Sequence, residues 1–108
     1  KKTGRPFGVL KHSRKFALSV LESGQKEIAI AFFRTAEVTG GAAAGHAFET
    51  GKTGAPILSR ALAWVEGKVI HIDETGDHAV VIGQVLAGAS KREGAPLTLA
   101  ELGLKYGG

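Results

Sequence analysis

The chain contains no cysteine, which removes disulfide bridges and thiolate metal ligands from consideration. Aromatic residues are only 6% of it and do not interleave with the cations as stacking platforms for nucleic acid would. A small basic nucleic-acid-binding barrel, suggested by the lysine-rich start, is disfavoured on that ground. No apolar run approaches bilayer-spanning length, and no signal-peptide core stands behind the charged start. A cytoplasmic protein without a membrane partner is the expectation. His12, His46, His71 and His78 include no pair at metal-ligand spacing, and no carboxylate cluster completes one. No metal is expected. A nucleophile elbow, a Walker loop and a Gly-x-Gly-x-x-Gly run after a strand are also missing.

What is present is ordinary globular composition over 108 residues, with 44% hydrophobic and 22% charged residues. That length fits one domain and is too short for two ordinary ones. Sixteen glycines favour strands, tight turns and close backbone approach over long helices. The formal charge of +4 permits attraction to anions. Its cations crowd the first segment, at Lys1, Lys2, Arg5, Lys11, Arg14 and Lys15, as either a solvated basic surface or an anion site.

The organising stretch is Ala61 to Ala89, two apolar runs joined at Thr75-Gly76-Asp77-His78. Their β-branched alternation predicts one long hairpin, with a reversal in which Gly76 supplies positive φ and Asp77 bonds local amides. Alternation places Ala61, Ala63, Val65, Gly67 and Val69 on one face of the first strand. In the second strand it groups Ala79, Val81, Gly83, Val85, Ala87 and Ala89, small enough for the interior of a small barrel. His78 then falls on the opposite face with Val80, Ile82 and Gln84, at the mouth of the strand. Trp64 shares a face with Leu62 and reads as a core or interface anchor. Glu66 follows it there and needs a partner, Lys68 or a residue across a dimer being the candidates.

Elsewhere, Pro6 to Arg14 predicts a short helix with Pro at an allowed first-turn position. Phe16 to Leu21 alternates as a strand, and Gln25 to Phe33 has the spacing of a short amphipathic helix. Thr39 to Gly51, rich in Gly and Ala, reads as a loop. Pro56 starts the approach to the hairpin, and Pro96 to Ala100 is the candidate for a last short strand. There is no internal repeat.

Several of these pieces, taken in order, resemble a known family. Gly54-Ala-Pro-Ile-Leu-Ser-Arg-Ala-Leu-Ala-Trp64-Val-Glu66, Gly76-Asp77-His78, Ile82-Gly83-Gln84-Val85, Pro96-Leu97 and Tyr106-Gly107-Gly108 resemble the flavin reductase-like family of split-barrel flavin-binding proteins. Phe16-Ala-Leu-Ser-Val-Leu21, Gln25, Ile28-Ala29 and Phe32 continue the pattern upstream. The resemblance implies a mainly β fold, an antiparallel split β-barrel of the FMN-binding type with two short helices. It implies one flavin reductase-like domain over 1–108, N-terminally incomplete, because family members carry first barrel strands and a flavin-contacting loop before this point.

The resemblance also implies a function. A nicotinamide nucleotide, NADH or NADPH, reduces bound or free flavin, FMN or FAD, and electrons pass to free flavin, a partner oxygenase or another acceptor. A homodimer would build the pocket. Carried over residue by residue, Gly76, Asp77 and His78 lie beside flavin and nicotinamide, with His78 tied to the reduced nucleotide. The imidazole can stack on or donate to a nucleotide while Asp77 fixes its tautomer or the turn. Tyr106 matches a family position near the flavin or nucleotide pocket, and as an exposed C-terminal aromatic it equally reads as a residue that packs on the barrel. The hydroxyl residues that hold the flavin phosphate in family members fall here on Gly4 and Pro6, which have none, so Lys2, Thr3 and Arg5 are the candidates to replace them. No side chain need act as a strong acid or base, since the flavin performs the chemistry. A non-catalytic flavin- or haem-binding module on the same barrel is the alternative.

Overall fold

The computed structural model of the chain describes residues 5–33 and 38–105. In order it runs α1 (Arg5–Ser13), β1 (Lys15–Val20), α2 (Lys26–Ala31), β2 (Val38–Thr39), β3 (Ala42–Ala43), β4 (His46–Thr50), β5 (Pro56–Leu58), β6 (Ala63–Asp73) and β7 (Val80–Ser90). The strands form two antiparallel sheets, ordered β1-β6-β7 and β2-β3-β4-β5. This is a mainly β architecture with two short helices, as expected. No described helix is long and apolar enough to cross a membrane.

Helix α1 begins with Pro6 in its first turn and carries Lys11 and His12 in its last, where cations complement the exposed carbonyls. Arg14 ends it with φ 61°, its amide donating to Leu10 O at 2.9 Å. Left-handed backbone in a non-glycine residue stops the helix within one step of the first strand.

The long hairpin is present. Strands β6 and β7 pair from Ala63↔Ser90 to Asp73↔Val80. Two bulges interrupt the ladder, between Glu66 and Gly67 and between Val69 and His71. Leu86 is the extra residue at the first and Ile70 at the second. A bulge shifts the alternation of its strand. The pairing therefore sets Ala87 opposite Glu66 and Ala89 opposite Trp64, on the face away from Val85 and Gly83. This corrects the single small-residue face expected for the second strand. Nor is that face uniformly interior, for Val85 is 60% exposed.

Where the alternation holds, it explains two glycines. Phe16 lies opposite Gly67, and Gly83 opposite Val69, on the same face. A Cβ on Gly67 would stand 2.7 Å from Phe16 Cζ, and one on Gly83 2.5 Å from Phe16 Cε1. The phenyl ring thus rests directly on backbone across three strands.

The opposite face of β1 and β6 meets the second sheet. The Leu58 amide of β5 donates to Ser19 Oγ at 3.1 Å. The most buried apolar residues, Ile28, Ala43, Ile57, Ala61, Leu62 and Val69, come from α2, both sheets and the turn before β6. Gln25 is buried ahead of α2, accepting from the Glu22 amide and donating to Arg60 O, both at 2.8 Å.

Two other expectations fail. Thr39 to Gly51, read as a loop, contains β3 and β4 and the end of β2. These strands are two to five residues long and turn through Gly40 (φ 60°), Ala44 (φ 49°) and Gly45 (φ 79°), too short to show a periodicity. Pro96 to Ala100 is not a strand. It makes one bridge, Glu22↔Pro96, and then turns, with Leu102 N donating to Thr98 O at 3.3 Å.

Candidate functional site

The hairpin tip is built by side-chain bonds to backbone. Asp73, the last residue of β6, accepts from the Thr75 amide at 2.9 Å and from the Thr75 hydroxyl. That Asx-type bond starts the reversal. The Thr75 hydroxyl first, and then its amide, hold the Asp73 carboxyl below its ordinary range, with His71 adding a small push in the same direction. Gly76 does not adopt positive φ, contrary to the sequence expectation. The reversal is instead spread over residues 74–79. A Cβ at Gly76 would meet His78 O at 3.6 Å, an ordinary contact.

His78 and Asp77 stand together at this rim. Nδ1 of His78 is 3.3 Å from Asp77 Oδ1, and the imidazole is 39% exposed while the carboxylate is almost fully so. The pairing favours the tautomer with a proton on Nδ1, which leaves Nε2 as the free edge. His78 lies in the connection rather than within β7.

Helix α1 is tied to the same tip. Lys11 Nζ lies 3.1 Å from a Glu74 carboxylate oxygen and 5.3 Å from the Phe7 ring centroid. This bridge spans 63 residues of sequence. It ties the helix that begins at Arg5 to the start of the connection between β6 and β7. Lys2, Thr3 and Tyr106, and the side chain of Arg5, lie outside what the structure describes. Of the sequence-derived candidates, Gly76, Asp77 and His78 are therefore contiguous and placed, and Arg5 is placed by its backbone.

The other histidines stand elsewhere. His46 packs against Phe32, with ring centroids 6.5 Å apart, and His12 is exposed on α1. Among the described residues no three potential ligands gather to hold a metal ion.

Glu66 was flagged by the sequence but given the wrong partners. It is fully buried, accepting from the Lys52 amide at 2.9 Å, the Thr53 amide at 2.9 Å and the Thr53 hydroxyl at 2.7 Å. The Thr53 amide and hydroxyl lower its carboxyl below the ordinary range against the opposing effect of burial. Neither Lys68 nor a second subunit is needed. The partners lie in a loop that no periodicity reveals, although Gly51 and Gly54 mark a tight connection there.

Sequence reasoning also missed Glu74 as the tether of α1. Trp64 lines an open apolar depression of about 360 Å³ with Leu18, Val20, Ala63, Val65 and Gly88.

The two antiparallel sheets with two short helices have the fold of the FMN-binding split barrels, the class of an FMN-binding protein of Thermus thermophilus that superposes with a TM-score of 0.66 at 28% identity, covering 82% of this chain and 50% of that one. The match to the flavin reductase like domain extends over residues 2–107, and the chain belongs to that family. A probable flavin reductase of Rhizobium meliloti is 34% identical over 86 residues, which are 80% of this chain and 27% of the relative. The stachydrine N-demethylase reductase subunit Stc3 of the same organism is 30% identical over 80% of this chain and 36% of its own length. In structure, the NADH:FAD oxidoreductase SgcE6 of Streptomyces globisporus superposes with a TM-score of 0.70 at 31% identity, covering 86% of this chain and 57% of that one. The chain thus spans about a third or less of these curated relatives and half or just over half of the solved ones.

Proposed function

We propose that the chain is the nicotinamide-facing part of a flavin-dependent oxidoreductase, in which NADH or NADPH reduces FMN or FAD. The observation that carries the reading is the Asp77–His78 pair at 3.3 Å on the rim of the hairpin, in a chain matched to the family over residues 2–107. The residues present fit such a ligand. Nε2 of His78 is free to serve a nucleotide, and the half-exposed imidazole can stack beside one.

The flavin, when bound, supplies the acceptor for a hydride, two electrons and one proton, leaving an oxidised nicotinamide. The protein's part is placement. Asp77 sets the orientation of His78, and His78 positions the nucleotide. Lys2, Thr3 and Arg5 are proposed to hold phosphate, and Tyr106 to cover the pocket. No acid or base is assigned, because hydride transfer between two bound rings asks for proximity and alignment above all.

A homodimer working in the cytoplasm, with a partner oxygenase or free flavin as acceptor, completes the proposal. The exposed apolar residues of the first sheet, Leu18, Val20 and Val85 among them, support a surface that a second copy covers.

The test is the steady oxidation of a reduced nicotinamide with added flavin, for wild type and His78→Ala. We expect the KM for the nucleotide to rise about tenfold, the equivalent of ~1.4 kcal/mol of lost contact. Flavin binding without any nucleotide oxidation would overturn the enzymatic reading. An unchanged KM and rate in the variant would overturn the role of His78.

A further inference from the structure

Among the described residues, the cations near the start of the chain divide into two that have found partners and one that has met a like charge. Lys11 is paired with Glu74, and the Arg14 guanidinium donates to Val69 O at 3.3 Å and Ile70 O at 3.4 Å. Lys15 is different. It opens β1 directly opposite Lys68 of β6, and Lys68 lies opposite Gln84 of β7. Residues facing each other on neighbouring antiparallel strands share a face, with Cβ atoms about 4.5–5.5 Å apart. Three strands therefore set two ammonium stems and a carboxamide in one row.

That row is unfavourable as it stands. Like charges directly opposite destabilise a sheet, and among the described residues the ion pairs involve neither lysine. The carboxylates nearest along β6 are engaged elsewhere. Glu66, two residues before Lys68, gives its oxygens to Lys52 and Thr53, and Asp73 gives its own to Thr75. Lys15, Lys68 and Gln84 are all exposed, so a solute can reach them.

We propose that the Lys15–Lys68–Gln84 row is a binding site for a phosphate-class dianion. Two ammonium groups match its charge, and the Gln84 amide adds a neutral donor without a third charge to repel them. Binding there would relieve the repulsion between the lysines, so the ligand and the fold stabilise each other. The site does not depend on the flavin reading, since its residues are separate from Gly76, Asp77 and His78.

The experiment measures the melting temperature of the full chain in phosphate and in chloride at matched ionic strength, with amide chemical shifts followed by NMR. Phosphate should raise the melting temperature saturably, with shifts gathered at Lys15, Lys68 and Gln84. The pair of substitutions Lys15→Gln and Lys68→Gln should raise the melting temperature in low salt without phosphate, and weaken phosphate binding at least tenfold. Lys105→Gln, at an exposed lysine outside the row, should change neither. A parallel titration with adenosine monophosphate identifies the source: tighter binding names a nucleotide phosphate, and equal binding names the free ion. An equal phosphate effect in the double variant, or shifts scattered over all surface lysines without saturation, would overturn the proposal.

Discussion

Glu66 and Asp73 stand on the same strand and use the same chemistry to different ends. Each accepts backbone amide and threonine hydroxyl bonds, and each carboxyl is lowered by them. Glu66 is enclosed and reaches a loop 13 and 14 residues earlier in the chain. Asp73 is exposed and reaches Thr75, two residues on. A carboxylate out of water must have its lone pairs filled, so Glu66 ties the 51–53 loop to the core. One in water can exchange its partner for solvent at little cost, so Asp73 shapes a turn without holding the fold together. Burial decides which of the two is structural.

The comparison breaks most severely at Glu66. Glu66→Ala would leave the Lys52 and Thr53 amides without their acceptor and a cavity where the buried side chain stood, and a drop in melting temperature of roughly 10 °C is expected from thermal unfolding. A drop no larger than that of Asp73→Ala would show the loop to be independent of the carboxylate. Gly51→Ala comes next. Its Cβ would lie 2.1 Å from Glu66 Oε2, and an oxygen held by the Lys52 amide cannot swing away freely. A fall of roughly 5 °C is expected, and it should shrink in the Glu66→Ala background, where the clash is gone.

Acid sharpens the same contrast. Because the folded carboxyl of Glu66 is depressed, its contribution is complete above the ordinary value of 4.5 and is lost as pH falls through the lower folded value. Denaturant midpoints measured downward from pH 5 should fall more steeply in wild type than in Glu66→Gln. Parallel slopes would contradict the lowered value. Asp73→Ala should have the smallest effect, roughly 2 °C or less in melting temperature. Its consequence belongs to the tip instead, where a higher KM for the nicotinamide nucleotide would report a displaced His78.

The same division runs through what could be read from the chain before its fold was known. Strands β6 and β7 are eleven residues each, long enough for alternation to repeat, and the hairpin was legible although the geometry of its tip was not. Gly76, Asp77 and His78 lie together in the connection because neighbours in sequence stay neighbours in space, although the reversal is wider than the two-residue turn expected of Gly76. Strands β2 and β3 are two residues each, shorter than one full period, and their Ala and Gly residues are as common in turns as in sheets. The misassigned faces of Ala87 and Ala89 trace to one bulge, which carries no sequence mark. Glu66 was recognised as needing a partner, but the choice among loops is a long-range event.

Composition and local periodicity determined that this protein is mainly β, that its longest element is a hairpin, and that an imidazole and a carboxylate stand side by side at its reversal. Those properties depend on neighbours a few residues apart, whose geometry follows from backbone stereochemistry. The tertiary structure alone decided that Glu66 is locked by Lys52 and Thr53, that Lys11 ties the first helix to the hairpin tip, and that Lys15 faces Lys68. Such contacts follow from how distant segments come to share a limited interior and a limited surface, and no local pattern in the chain encodes that choice.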